Sequence, residues 1–155
     1  MTPTARRFTK ALLAGFPRFG RGLRVLPNGD FEAFVRAPRT SKAGVLVCLS
    51  RGMDVWVRLN PPNTLYSIDT PRELLTIVEG LLADDLLFVV LFTNRKWSGT
   101  TLVGRGERPA QGAGESARLF SWSGKHDRRI RATRQRRPAG RTAAPSHAAT
   151  REAVR

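Results

Sequence analysis

The chain has 155 residues, a formal charge of +15 and a single cysteine. One thiol excludes an internal disulfide framework and any multi-thiolate metal site and fits a reducing cytoplasm, while the length suffices for one domain that buries roughly 60% of its unfolded surface. The charge is uneven, since residues 22–107 carry ten Lys or Arg against nine Asp or Glu, whereas residues 1–21 and 108–155 hold +5 and +9. A near-neutral middle with cationic ends describes a folded unit joined to segments that seek anions. Arginine outnumbers lysine 23 to 4, so GC-rich coding bias is a competing origin for the basic end.

Residues 1–21 place Phe8, Leu12, Leu13 and Phe16 on one stripe of a helix opposite Arg6, Arg7 and Lys10, and Pro17 ends it. The apolar part is shorter than a signal-peptide core and is expected to be retained. Such a helix lies on its own domain, as the short stripe favours, or meets a membrane surface or partner. Next, Leu23–Leu26 and Phe31–Ala37 flank Pro27-Asn28-Gly29-Asp30, and Asn-Gly between apolar runs predicts a hairpin. Gly44–Ser50 and Val55–Asn60, joined by Arg51-Gly52-Met53-Asp54, extend it to a four-stranded meander.

Pro61-Pro62-Asn63 is expected to break the sheet. Thr70-Pro71-Arg72-Glu73 then opens a helix over 71–83, with Thr70 as cap, Pro71 in the first turn and Glu73 reaching back to the cap amide. Leu74, Leu75, Ile77, Val78, Leu81 and Leu82 form its apolar face. Leu86–Thr93 offers apolar side chains to both sides, the mark of a central strand, and falls far short of the ~20 residues of a membrane-spanning helix. Asn94-Arg95-Lys96 turns the chain into Trp97–Val103. Gly104–Gly114 reads as a linker, Leu119–Trp122 as an edge strand or unpaired patch, and from Arg128 onward the chain has too little apolar surface to offset its entropy.

The expected fold is therefore α+β: a single small domain with an antiparallel sheet of five or six strands, the 71–83 helix on one face, and a disordered basic tail. The N-terminal segment is the candidate to cover the other face. The expected divisions are 1–21, a core over 22–107, a linker over 108–127 and a tail over 128–155.

Two candidate surfaces follow. Strand alternation places Phe31, Ala33, Val35, Val45, Val47, Leu49, Val55, Val57 and Leu59 under the helix, and Phe34, Arg36, Leu46, Cys48, Trp56 and Arg58 opposite. Phe34 and Trp56 are then platforms for unpaired bases, with Arg36 and Arg58 on phosphates; the alternative is that the N-terminal stripe or another subunit buries them. The second surface is the run Arg128, Arg129, Arg131, Arg134, Arg136, Arg137 and Arg141, whose full engagement with duplex DNA predicts a salt slope of about −6.

Catalysis is not expected. The only histidines, His126 and His147, lie in the basic end, which supports neither a zinc site nor a Cys48–His pair. Asp84 and Asp85 read as a solvated turn, and no metal or cofactor is implied. The expected function is a non-enzymatic small binding module with an anionic partner, nucleic acid or acidic protein. The alternative is a protein-interaction module, of inhibitor or immunity type, with an incidental tail.

Overall fold

The computed structural model describes residues 1–39, 41, 44–60 and 64–132. Helix α1 spans Pro3–Gly15, with the Thr2 hydroxyl accepting from the Ala5 amide at 3.1 Å and Pro3 in the first turn. Its amide end is tied to the first hairpin, where the Thr2 amide donates to the Gly29 carbonyl at 2.8 Å. That hairpin joins β1 (Arg24–Val25) to β2 (Phe31–Arg36), as the Asn-Gly pair predicts, and Gly29 takes the left-handed conformation at φ 82°. A tight 3-10 segment, Pro17–Gly22, connects α1 to β1 and runs against β2. A Cβ on Gly22 would stand 2.2 Å from the Phe34 carbonyl oxygen, so only glycine permits this approach.

The first sheet has the order β1-β2-β3-β4-β5, all antiparallel, with β3 at Val45–Arg51, β4 at Asp54–Asn60 and β5 at Tyr66–Ile68. The predicted break at Pro61-Pro62-Asn63 lies outside the described residues, and beyond it β5 adds a fifth strand to the same sheet. One expectation is overturned here. The register pairs Ala33 with Cys48 and Cys48 with Val57, so Leu46 and Cys48 point into the core, while Val45, Val47 and Leu49 lie on the face of Phe34 and Trp56. Residues 45–49 are apolar on both sides, so alternation alone leaves their parity open. The two-residue Gly52-Met53 turn decides it by setting Arg51 opposite Asp54 and hence Leu49 opposite Trp56.

Helix α2 (Pro71–Leu82) carries the expected cap, with the Glu73 amide donating to the Thr70 hydroxyl at 3.1 Å. The Glu73 carboxylate reaches one residue further than expected, accepting from the Asp69 amide at 2.8 Å. Both helices lie on the same side of the first sheet: Phe8 and Leu12 of α1 join Leu74, Val78 and Leu81 of α2 and Phe31, Ala33, Cys48 and Val57 of the strands in one buried cluster. The N-terminal segment therefore does not cover the opposite face. Its apolar stripe instead packs beside Leu46 and Cys48 in the core on the helix side.

Asp84 ends α2 as a left-handed cap at φ 59°, with the Asp85 amide donating to the Gly80 carbonyl at 2.8 Å. Its buried carboxylate accepts from the Ser123 amide at 2.9 Å, and Asp85 pairs with Arg105 at 3.2 Å. These neighbouring acids thus hold loops together, and only Asp85 is solvated.

The remaining strands, β6 (Leu86–Thr93), β7 (Lys96–Gly104), β8 (Glu115–Phe120) and β9 (Arg128–Ile130), form a second antiparallel sheet of order β7-β6-β8-β9, in which β6 is central as expected. The α+β class holds, with the strands divided between two sheets. On one side of the second sheet Phe88, Leu102, Phe120 and Trp122 enter the main core, which joins the two sheets. On the other side Leu87, Val89, Val103, Ala117 and Leu119 form a separate cluster. Strands β7 and β8 lie on opposite edges of β6, so residues 105–114 cross the sheet. The crossing covers this second cluster: Pro109 is buried, and Arg128, paired with Leu119, donates to the Glu107 carbonyl at 2.8 Å.

Strand β9 (Arg128–Ile130) corrects the expected start of the tail. Ile130 pairs with Ala117 and packs on the second cluster, which supplies the apolar contact that composition alone does not show. The residues from 133 onward lie outside the described set. Among the described residues no helix is long and apolar enough to cross a membrane.

Candidate functional site

The first predicted surface exists as a sheet face with altered membership. Phe34 and Trp56 stand half-buried on it and Arg36 is exposed, while Leu46 and Cys48 belong to the core. Cys48 is fully buried, and burial pushes its thiol far above the usual range, as suits a packing residue. Arg24 and Arg58 have partners here, whereas the exposed Arg36 lines a cleft with Arg18 and Arg21. Glu32 sits opposite Arg24 in the β1–β2 register and 3.5 Å from Arg58, and the Arg24 guanidinium lies 5.5 Å from the Phe34 ring centre. The buried Nε of Arg58 has no hydrogen-bond partner among the described residues.

The tail prediction is only partly placed. Arg128 is tied to Glu107 under the crossing loop, Arg129 and Arg131 are described, and Arg134, Arg136, Arg137 and Arg141 lie outside the described residues. Arg129 and Arg131 do not trail away. They join a cluster that the linear sequence conceals.

That cluster is built by register. On the side of β6 that carries Val90 and Phe92, Val90 faces Thr100 on β7 and Arg118 on β8, and Arg118 faces Arg129 on β9. The neighbouring row holds Trp97, Phe92 and Ser116, and Arg131 follows Arg129 by two residues on the same side. Arg95 rises from the β6–β7 turn. Two adjoining clefts of about 190 and 270 Å³ result; Phe92, Arg95, Ser116 and Arg129 line both, Arg118 the first and Arg131 the second.

Four arginines thus converge on one half-exposed phenylalanine, and among the described residues no carboxylate forms an ion pair with any of them. The nearest acid in sequence, Glu115, is turned to the opposite side of the sheet. There it accepts from the Gly112 amide at 2.7 Å, from the Ser98 hydroxyl at 2.9 Å and from Thr93 at 3.2 Å. The Gly112 bond first, then those from Ser98 and Thr93, hold its carboxyl below the ordinary carboxylate range.

Two of these arginines occupy positions that cost stability. Arg118 and Arg129 are direct cross-strand partners, and like charges so placed are destabilising by roughly 0.2–1 kcal/mol. The Arg118 guanidinium relieves part of this by lying 5.4 Å from the Phe92 ring centre. Arg95 takes φ 66° beside Asn94 at φ 51°, a primed hairpin turn that favours Asn-Gly, and a side chain in that left-handed region costs about 1–2 kcal/mol against glycine.

A local signal for part of this site was available, since Ser116, Arg118 and Phe120 alternate with Ala117 and Leu119. The pairing of Arg118 with Arg129 had none. Among the described residues no three metal-binding side chains converge. No protein-family model, curated protein or solved structure matches the chain.

Proposed function

We propose that this protein is a non-enzymatic binding module that holds the phosphates of nucleic acid on the arginine face of its second sheet. One observation carries the reading: Arg95, Arg118, Arg129 and Arg131 meet with no carboxylate paired to them among the described residues, two of them at positions that weaken the fold. Charges kept together at such a cost are compensated when an anion supplies the missing counter-charge. The basic residues beyond 132 add sequence-independent attraction in the same direction.

Fluorescence anisotropy of a labelled oligonucleotide at ~50 and ~200 mM salt tests this. The wild type is expected to bind with a steep salt dependence. Replacing Arg95, Arg118, Arg129 and Arg131 by glutamine reduces the slope by about 3 to 4, whereas Arg36→Gln with Arg58→Gln leaves it unchanged. An unchanged slope in the four-arginine variant overturns the assignment.

A second reading, a protein partner docked on the first sheet, has one observation in its favour. Arg58, whose buried Nε has no partner among the described residues, lines a cleft with Trp56, Leu49 and the exposed Leu65. Under that reading Trp56→Ala abolishes capture of an acidic protein and the four-arginine variant does not.

A further inference from the structure

The arginine face continues at its β7 edge into an aromatic side chain that the core does not use. Trp97 is 67% exposed, although it lies within a strand and the register pairs it with Phe92. Its indole nitrogen donates to the Thr100 hydroxyl at a long 3.4 Å, which biases the ring towards the face that carries Val90, Arg118 and Arg129. Phe92 already has a cation on its ring, supplied by Arg118, so Trp97 is the aromatic surface left for a ligand.

Resting on the reading above, we propose that the bound nucleic acid is single-stranded, with an unpaired base stacked on the Trp97 indole and neighbouring phosphates on Arg95, Arg118, Arg129 and Arg131. The sheet order puts the indole and Arg129 on the two edge strands, β7 and β9. Three strand spacings separate them, about 14 Å, which is about four nucleotides at stacked spacing. The ligand therefore runs across the strands, base end at β7 and phosphates towards β9. A duplex presents its phosphates but keeps its base faces stacked inside, so it engages the arginines and leaves the indole idle. Single-stranded DNA and RNA offer the same base faces and phosphates, and both are expected to bind.

The test uses the full chain with oligothymidylate and oligouridylate of about 12 nucleotides, alongside a DNA duplex of equal length. Single strands are expected to bind more tightly than the duplex and to quench tryptophan emission. Trp97→Phe removes that quenching while Trp56→Phe retains it, and Trp97→Ala weakens single-strand binding by roughly 5- to 150-fold, the range for loss of one stacked base. Trp97 is exposed, so these variants keep the fold, which an unchanged circular dichroism spectrum checks. Equal binding of single strand and duplex, with Trp97→Ala without effect, overturns the stacking inference and leaves the phosphate-binding function standing. Absence of binding to all three probes overturns both.

Discussion

The outward face of the first sheet and the open end of the core-facing side of the second hold the same residue types in different electrostatic settings. On the first, Glu32 forms an ion pair with Arg58 and lies opposite Arg24 in the register, and Asp54 stands opposite Arg51 at the turn. On the second, Arg118 opposes Arg129, Arg95 is held in a left-handed turn, and Glu115, the nearest acid in sequence, points the other way. Aromatics with arginines therefore do not by themselves mark a ligand surface. The discriminating feature is whether the protein balances its own charge, because an unbalanced cluster costs stability until something else neutralises it.

The sharpest way to break the comparison is to ask whether the two sheets are one folding unit. Leu119→Ala in the second cluster and Leu74→Ala in the main core should each cost about 2–5 kcal/mol. Because Phe88 and Trp122 join both regions, Leu119→Ala should speed amide exchange in β3 as well as in β6. Faster exchange confined to β6–β9 would show two independent units. Gly22→Ala comes next at about 1–3 kcal/mol, measured by denaturant unfolding, since its methyl meets the Phe34 backbone oxygen.

Smaller effects sharpen the contrast between the faces because their signs differ. Arg95→Gly should raise stability by about 1–2 kcal/mol while weakening oligonucleotide binding. Arg118→Gln should stabilise by a few tenths of a kcal/mol at low salt, an advantage that fades as added salt screens the wild-type repulsion. Arg58→Gln, which breaks a partly exposed pair with Glu32, should instead destabilise by about 0–1 kcal/mol. Identical signs for the two substitutions would erase the proposed distinction.

The smallest effect concerns Glu115. Its carboxyl is held low by the Gly112 amide and then by the Ser98 and Thr93 hydroxyls. The ionised form is thus favoured in the folded state, and its contribution is present above the ordinary glutamate value of about 4.3. It is lost as pH falls through the lowered folded value. Thermal melts of Glu115→Gln should accordingly show a weaker loss of stability on acidification than the wild type.

Local chemistry made much of the fold legible. Thr70, Pro71 and Glu73 announce α2, Asn28-Gly29 announces the first hairpin, and the two-sided apolar run 86–93 announces a central strand. What stayed hidden depends on pairing. The parity of β3 needed the Gly52-Met53 turn, and the split into two sheets needed β8 to add to β6 across the 105–114 crossing. The site suffered most, because Arg95, Arg118, Arg129 and Arg131 are scattered along the sequence, and only the β6–β8–β9 ladder assembles them.

The most direct test of the proposed binding surface is amide chemical-shift mapping of the full chain titrated with an oligonucleotide at low salt. The account predicts shifts at Phe92, Arg95, Ser116, Arg118 and Arg129, with Phe34 and Trp56 unmoved. Shifts centred on Phe34 and Trp56, or restricted to residues 133–155, would contradict it.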